Sequence, residues 1–84
     1  MHFLATGKIL HNNGFDEHLP AEKLAVDELR AEGVVQELYF LQPGPGVVSL
    51  IEADSPEAAH AQLRRLPFVT LGIIEFDLVE VVRT

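Results

Sequence analysis

Along the first ten residues, apolar and small side chains alternate with longer ones. Phe3, Ala5, Gly7 and Ile9 form one set, and His2, Leu4, Thr6, Lys8 and Leu10 form the other. That period of two predicts a strand over 2–10. His11-Asn12-Asn13-Gly14 is turn chemistry, since Asn and Gly tolerate left-handed backbone. Pro20 suits a first helical position, where its missing N–H has no partner to lose. A helix is expected over 21–32, with Ala21, Leu24, Ala25 and Leu29 as its apolar side and Glu22, Lys23, Asp27 and Arg30 elsewhere on the wheel. Gly33 stops it. Val34 to Leu41 and Val47 to Ala53 read as two strands of a hairpin, broken by Pro43-Gly44-Pro45-Gly46. Ser55 with Pro56 then signals a second helix start. Ala58, Ala59, Leu63 and Leu66 give this helix its apolar side, and Pro67 ends it. Ile73 to Val82 is the last strand, with Ile74, Phe76 and Leu78 alternating against Glu75, Asp77 and Val79.

The order β-α-β-β-α-β defines an α+β, ferredoxin-like domain. Its four-stranded antiparallel sheet, order 4-1-3-2, should carry both helices on one face. Residues 1–84 form one domain, with no linker or repeat. The other face has no cover within the chain. Alternation assigns to that open face Thr6 and Lys8 of the first strand and Glu37, Tyr39 and Leu41 of the second. It adds Val47, Ser49 and Ile51 of the third, and Ile73, Glu75, Asp77 and Val79 of the fourth. Val48 and Leu50 are expected to face the helices.

Composition sharpens this picture. Hydrophobic residues make up 48% of only 84, more than one small core can hide, so a second buried surface is expected. The simplest is a homodimer through the open sheet face, with a higher oligomer as an extension. A net charge of −7 argues against nucleic acid and against anionic membranes. The absence of cysteine excludes disulfides and thiolate chemistry. The N-terminal segment reads as a strand and not as a signal peptide, and a cytoplasmic location is the expectation.

Two stacked sheets would enclose a cavity with polar walls, able to take a small anionic molecule. Glu75 and Asp77 point the same way on one strand. On a partly dry wall their repulsion is expected to push one of them toward the acid–base range. The plainer alternative is a solvated pair, or one carboxylate bound to Lys8. Tyr39 with Glu37 could polarise a carbonyl and move a proton, or could simply pack at an interface. Lys8 is a candidate anchor for an anionic substrate, with Thr6 and Ser49 beside it and His18 at the pocket mouth. His11 and His18 flank Asp16 and Glu17, but a metal site needs three converging ligands, so no metal is expected. No phosphate-cradling glycine loop occurs between a strand and a helix, and no cofactor is expected.

Several stretches carry a resemblance. They are Val48-Ser49-Leu50-Ile51-Glu52-Ala53-Asp54-Ser55, then His60, Leu66-Pro67-Phe68, and Ile74-Glu75-Phe76-Asp77-Leu78, with a looser match through Leu19-Pro20-Ala21-Glu22 to Gly33. Together they resemble the muconolactone isomerase family of the dimeric α/β-barrel group. Glu52-Ala53-Asp54-Ser55 with Leu66-Pro67-Phe68-Val69 is also similar to the YCII-related family of the same group. The resemblance implies a dimeric barrel and cofactor-free proton transfer on a small carboxylated lactone. Glu75 and Asp77 match the family's acidic last strand. The chain departs from the family in lacking a tail after that strand and in its first strand and loop. A non-catalytic ligand-binding dimer of the YCII type is the other implied function.

Overall fold

The computed structural model describes all 84 residues. The elements are β1 (His2–Ile9), α1 (Phe15–Ala31), β2 (Val35–Phe40), β3 (Val47–Glu52), α2 (Pro56–Leu63), α3 (Pro67–Thr70) and β4 (Ile74–Val81). The strands form one antiparallel sheet in the order β2-β3-β1-β4. This is the ferredoxin-like arrangement expected from the element order.

Helix α1 begins five residues before Pro20, at Phe15, with Gly14 as its N-cap. Pro20 is therefore interior. The carbonyl that loses its partner belongs to Asp16, which is exposed and open to water. The helix closes with Gly33 at φ 81°. Val34 N–H donates to Leu29 O (2.9 Å) and Gly33 N–H to Arg30 O (3.0 Å), so two end carbonyls are satisfied while Val34 and Leu29 meet in the core.

The buried stripe of α1 also differs from the expected one. Ala21 and Leu24 are exposed, Leu24 by 61%. Phe15, Leu19, Glu22, Val26 and Leu29, spaced four, three, four and three, turn inward instead. Helix α2 has the expected cap, with Ala58 N–H donating to Ser55 Oγ (3.0 Å). Pro67 does more than end it, because it opens the short α3.

Strand β3 sits in the opposite phase to that expected. Phe3, Ala5 and Gly7 pair with Ile51, Ser49 and Val47, so these three β3 residues face the helices and are buried. Val48 and Leu50 lie on the open face, opposite Thr6 and Leu4. An almost wholly apolar strand carries no phase of its own, and its register comes from its neighbours. A bulge in β2 between Val35 and Glu37 absorbs one residue. It lets Val35 and Leu38 both face inward although they are three apart. Ile73 precedes β4 and is wholly buried against Phe68 and Ile74 instead of lying on the open face.

The core has two parts. Phe3, Ala5, Leu29, Ile51, Ala59 and Leu63 belong to the larger cluster, between the sheet, the end of α1 and α2. Phe68, Ile73 and Ile74 form the smaller, with Phe15 stacked on Phe68 at a centroid distance of 4.7 Å. Arg65 fastens the ends of α1 and α2 through a bidentate pair with Glu32 (2.7 and 2.6 Å) and a bond to Gln62 (2.7 Å). No helix is long and apolar enough to cross a membrane.

Candidate functional site

The open sheet face is built by cross-strand pairs. Lys8 lies opposite Glu75, and Thr6 is flanked by Val48 and Asp77. One position along, Leu4 is flanked by Leu50 and Val79. The face thus divides into a polar end and an apolar end. Lys8, Thr6, Glu75 and Asp77 are adjacent, exposed and on one side, as the alternation of β1 and β4 predicts. No carboxylate comes within 4.0 Å of Lys8. Its ammonium is free to meet an anion.

Tyr39 and Glu37 also lie on this face, opposite Val48 and Leu50. The Tyr39 hydroxyl donates to Glu37 Oε1 (2.5 Å). That hydrogen bond, with the nearby negative charge, pushes the phenol above its usual value of 10.0. Tyr39 sits on β2 and Asp77 on β4, with β3 and β1 between them. Three strand spacings separate them by roughly 14 Å. One sheet therefore brings Lys8, Thr6, Glu75 and Asp77 together but leaves Tyr39 and Glu37 apart from them.

Ser49 does not belong to this face. It is buried on the helix side, and its hydroxyl donates to the Glu37 carbonyl (2.7 Å). That bond makes an inward serine tolerable. His18 is half-exposed, with Nε2 at 4.0 Å from a Glu17 carboxylate oxygen, and it lines neither of the two main cavities. His11 Nδ1 accepts the Asn13 N–H (3.1 Å). No three His, Asp or Glu side chains converge as metal ligands.

Glu22, which the helical wheel placed away from the apolar side, is buried instead. It is only 8% exposed, on the inner stripe of α1. Its Oε1 accepts the Phe68 N–H (2.9 Å), which holds α3 against α1. Burial pushes its carboxyl above the usual 4.5, and the Phe68 N–H partly opposes that shift. The carboxyl lines a cavity of about 390 Å³ between α1 and the sheet. The signal was present: in the four-three spacing Leu19, Glu22, Val26, Leu29, one charged residue interrupts an apolar stripe. Reading the helix from Pro20 hid that spacing.

No family model matches the chain, and no curated protein matches it. Among solved structures, it superposes on 5-chloro-2-hydroxyhydroquinone dehydrochlorinase from Burkholderia phenoliruptrix AC1100, in complex with 2,5-dihydroxybenzoquinone, with a TM-score of 0.80. The match covers 100% of this chain and 96% of that one at 17% identity. At that identity the likeness establishes the shared ferredoxin-like fold.

Proposed function

We propose that the chain is a cofactor-independent enzyme that transfers protons on a small anionic ring compound, a carboxylated lactone or an aromatic-catabolism intermediate. It works as a homodimer stacked through the open face. The observation that carries this reading is the adjacency of Lys8 with Glu75 and of Thr6 with Asp77 on that face. Lys8 holds the substrate carboxylate, with Thr6 as a second hydrogen-bonding group. Glu75 or Asp77, dried by the second copy, removes a proton from the carbon beside the lactone carbonyl and returns it elsewhere on the ring. Tyr39 is too far away in its own sheet, so it acts from the second copy, where its hydroxyl turns from Glu37 to polarise a carbonyl. The dehydrochlorinase likeness supports a fold able to host chemistry on a small ring.

The other reading is a ligand-binding dimer without turnover. In one chain, neither main cavity is lined by Lys8, Thr6 or Asp77, which favours binding that depends wholly on the partner.

Thermal shift against small lactone acids, dicarboxylates and phenolic acids tests both. A ligand at a hundred times its dissociation constant adds about 2.7 kcal/mol, roughly ten degrees or more in so small a domain. Lys8→Ala should abolish the shift. Glu75→Gln and Asp77→Asn should then retain binding, and at least one should lose turnover. Turnover unchanged in both variants removes the catalytic reading.

A further inference from the structure

The cavity beneath α1 uses none of the groups proposed above. Its volume is about 390 Å³, and 13 of its 18 lining residues are hydrophobic. An apolar cavity of about 150 Å³ is already large enough to stay dry and take up benzene. This one lies between the two core clusters, with Phe15 and Phe68 on one side, Val26, Leu38 and Leu63 on the other, and Phe76 touching both. It reaches the surface beside Lys23, Asp27 and Arg30, all exposed.

Two polar side chains line its inner wall. Glu22 spends Oε1 on the Phe68 N–H. Its Oε2 has no protein partner, yet no buried side-chain oxygen is left sealed and unsatisfied. That oxygen is therefore accessible. Ser49 has committed its hydroxyl proton to the Glu37 carbonyl. What remains at Ser49 Oγ is lone pairs. An ionised Glu22 and Ser49 thus present acceptors only at the inner wall, while the cations Lys23 and Arg30 lie at the mouth, so the inner end favours a neutral donor on an apolar ring.

We infer that this cavity is a binding site for a small neutral phenol, its ring between the two aromatic and aliphatic walls and its O–H donated to Glu22 Oε2. A carboxylate at the inner end, such as that of benzoate inserted head first, would meet Glu22 in an apolar slot. A plain hydrocarbon would leave Oε2 without a partner.

The test uses p-cresol, its methyl ether 4-methylanisole, and 4-methylacetophenone, followed by 1H–15N NMR titration of the whole chain. Expected is binding of p-cresol with shifts centred on the amides of Glu22, Val26 and Phe68. The ether, which has no O–H, should bind at least about tenfold more weakly, as loss of a hydrogen bond to a charged group implies. Glu22→Gln preserves the fold, because its carbonyl can still accept the Phe68 N–H. Its free atom becomes an N–H donor, so p-cresol should weaken by a similar factor while the ketone gains. Val26→Phe, which fills the cavity, should lose every probe. Equal binding of cresol and ether would overturn the proposal. So would shifts confined to Thr6, Lys8 and Asp77 on the other face, no binding at all, or a Glu22→Gln variant with unchanged preference.

Discussion

At the scale of single residues, Glu22 joins two demands that pull against each other. The Phe68 N–H needs an acceptor in a buried place, and the carboxylate that supplies it is poorly solvated. The folded carboxyl therefore titrates above the unfolded value near 4.5. The sign follows from proton counting. Between the two values the folded state holds more protons than the unfolded one, so stability falls as pH rises through that interval. Below the unfolded pKa the advantage of the protonated acid is complete, and above the folded pKa it is gone. The charged groups on α1 nearest the cavity, Lys23, Asp27 and Arg30, are exposed at its mouth. Denaturant unfolding at steps from pH 4 to pH 8 should therefore show wild type losing stability relative to Glu22→Gln as pH rises. A constant difference between the two would mean that Glu22 is not desolvated. Glu32 behaves in the opposite sense, since Arg65 holds its carboxyl below 4.5.

At the scale of elements, legibility followed the contrast between faces. Strands β1 and β4 alternate sharply, and their open-face residues Lys8, Thr6, Glu75 and Asp77 fell where the alternation placed them. Strand β3 is Val47-Val48-Ser49-Leu50-Ile51, and the one polar residue suggested the wrong face. Ser49 is inward because the bulged β2 offers it the Glu37 carbonyl, a tertiary partner that no alternation encodes. Helix α1 misled for a local reason, since a proline compatible with a first turn also survives in a second. In β1, the small residue at position 7 is required by its neighbouring strands. A Cβ on Gly7 would lie 2.6 Å from Val47 Cγ2 and 2.7 Å from Phe76 Cε1. Strands β3 and β4 flank β1 there, so both side chains must shift to make room. Gly7→Ala should cost about 1–3 kcal/mol by overpacking. Equilibrium urea unfolding would measure it, and a neutral result would mean that the sheet yields more easily than its contacts imply.

At the scale of the whole molecule, the open face ties stability to the proposed chemistry. Val79 is 62% exposed, Tyr39 58% and Leu4 37%, all on the side that no helix covers. So much apolar surface beside a polar cluster suits a self-complementary contact. Charge opposes it, because each copy carries −7 and the face bears Glu37, Glu52, Glu75 and Asp77 against Lys8. A dimer held by Leu4, Leu50 and Val79 against that repulsion should tighten as salt screens the charge, the reverse of an ion-paired interface. Leu4→Glu adds a carboxylate between Leu50 and Val79, at a side chain that has no role in the helix-side core. Sedimentation equilibrium should give a dimer for wild type, stronger at high salt, and a folded monomer for Leu4→Glu. Because the proposed proton transfer needs a dried Glu75 or Asp77, the monomeric variant should also lose turnover while keeping its circular dichroism. A wild type that stays monomeric at tens of micromolar in high salt would leave those carboxylates in water. The proton-transfer reading would fall with the dimer, while the phenol site beneath α1, which lies wholly within one chain, would be untouched.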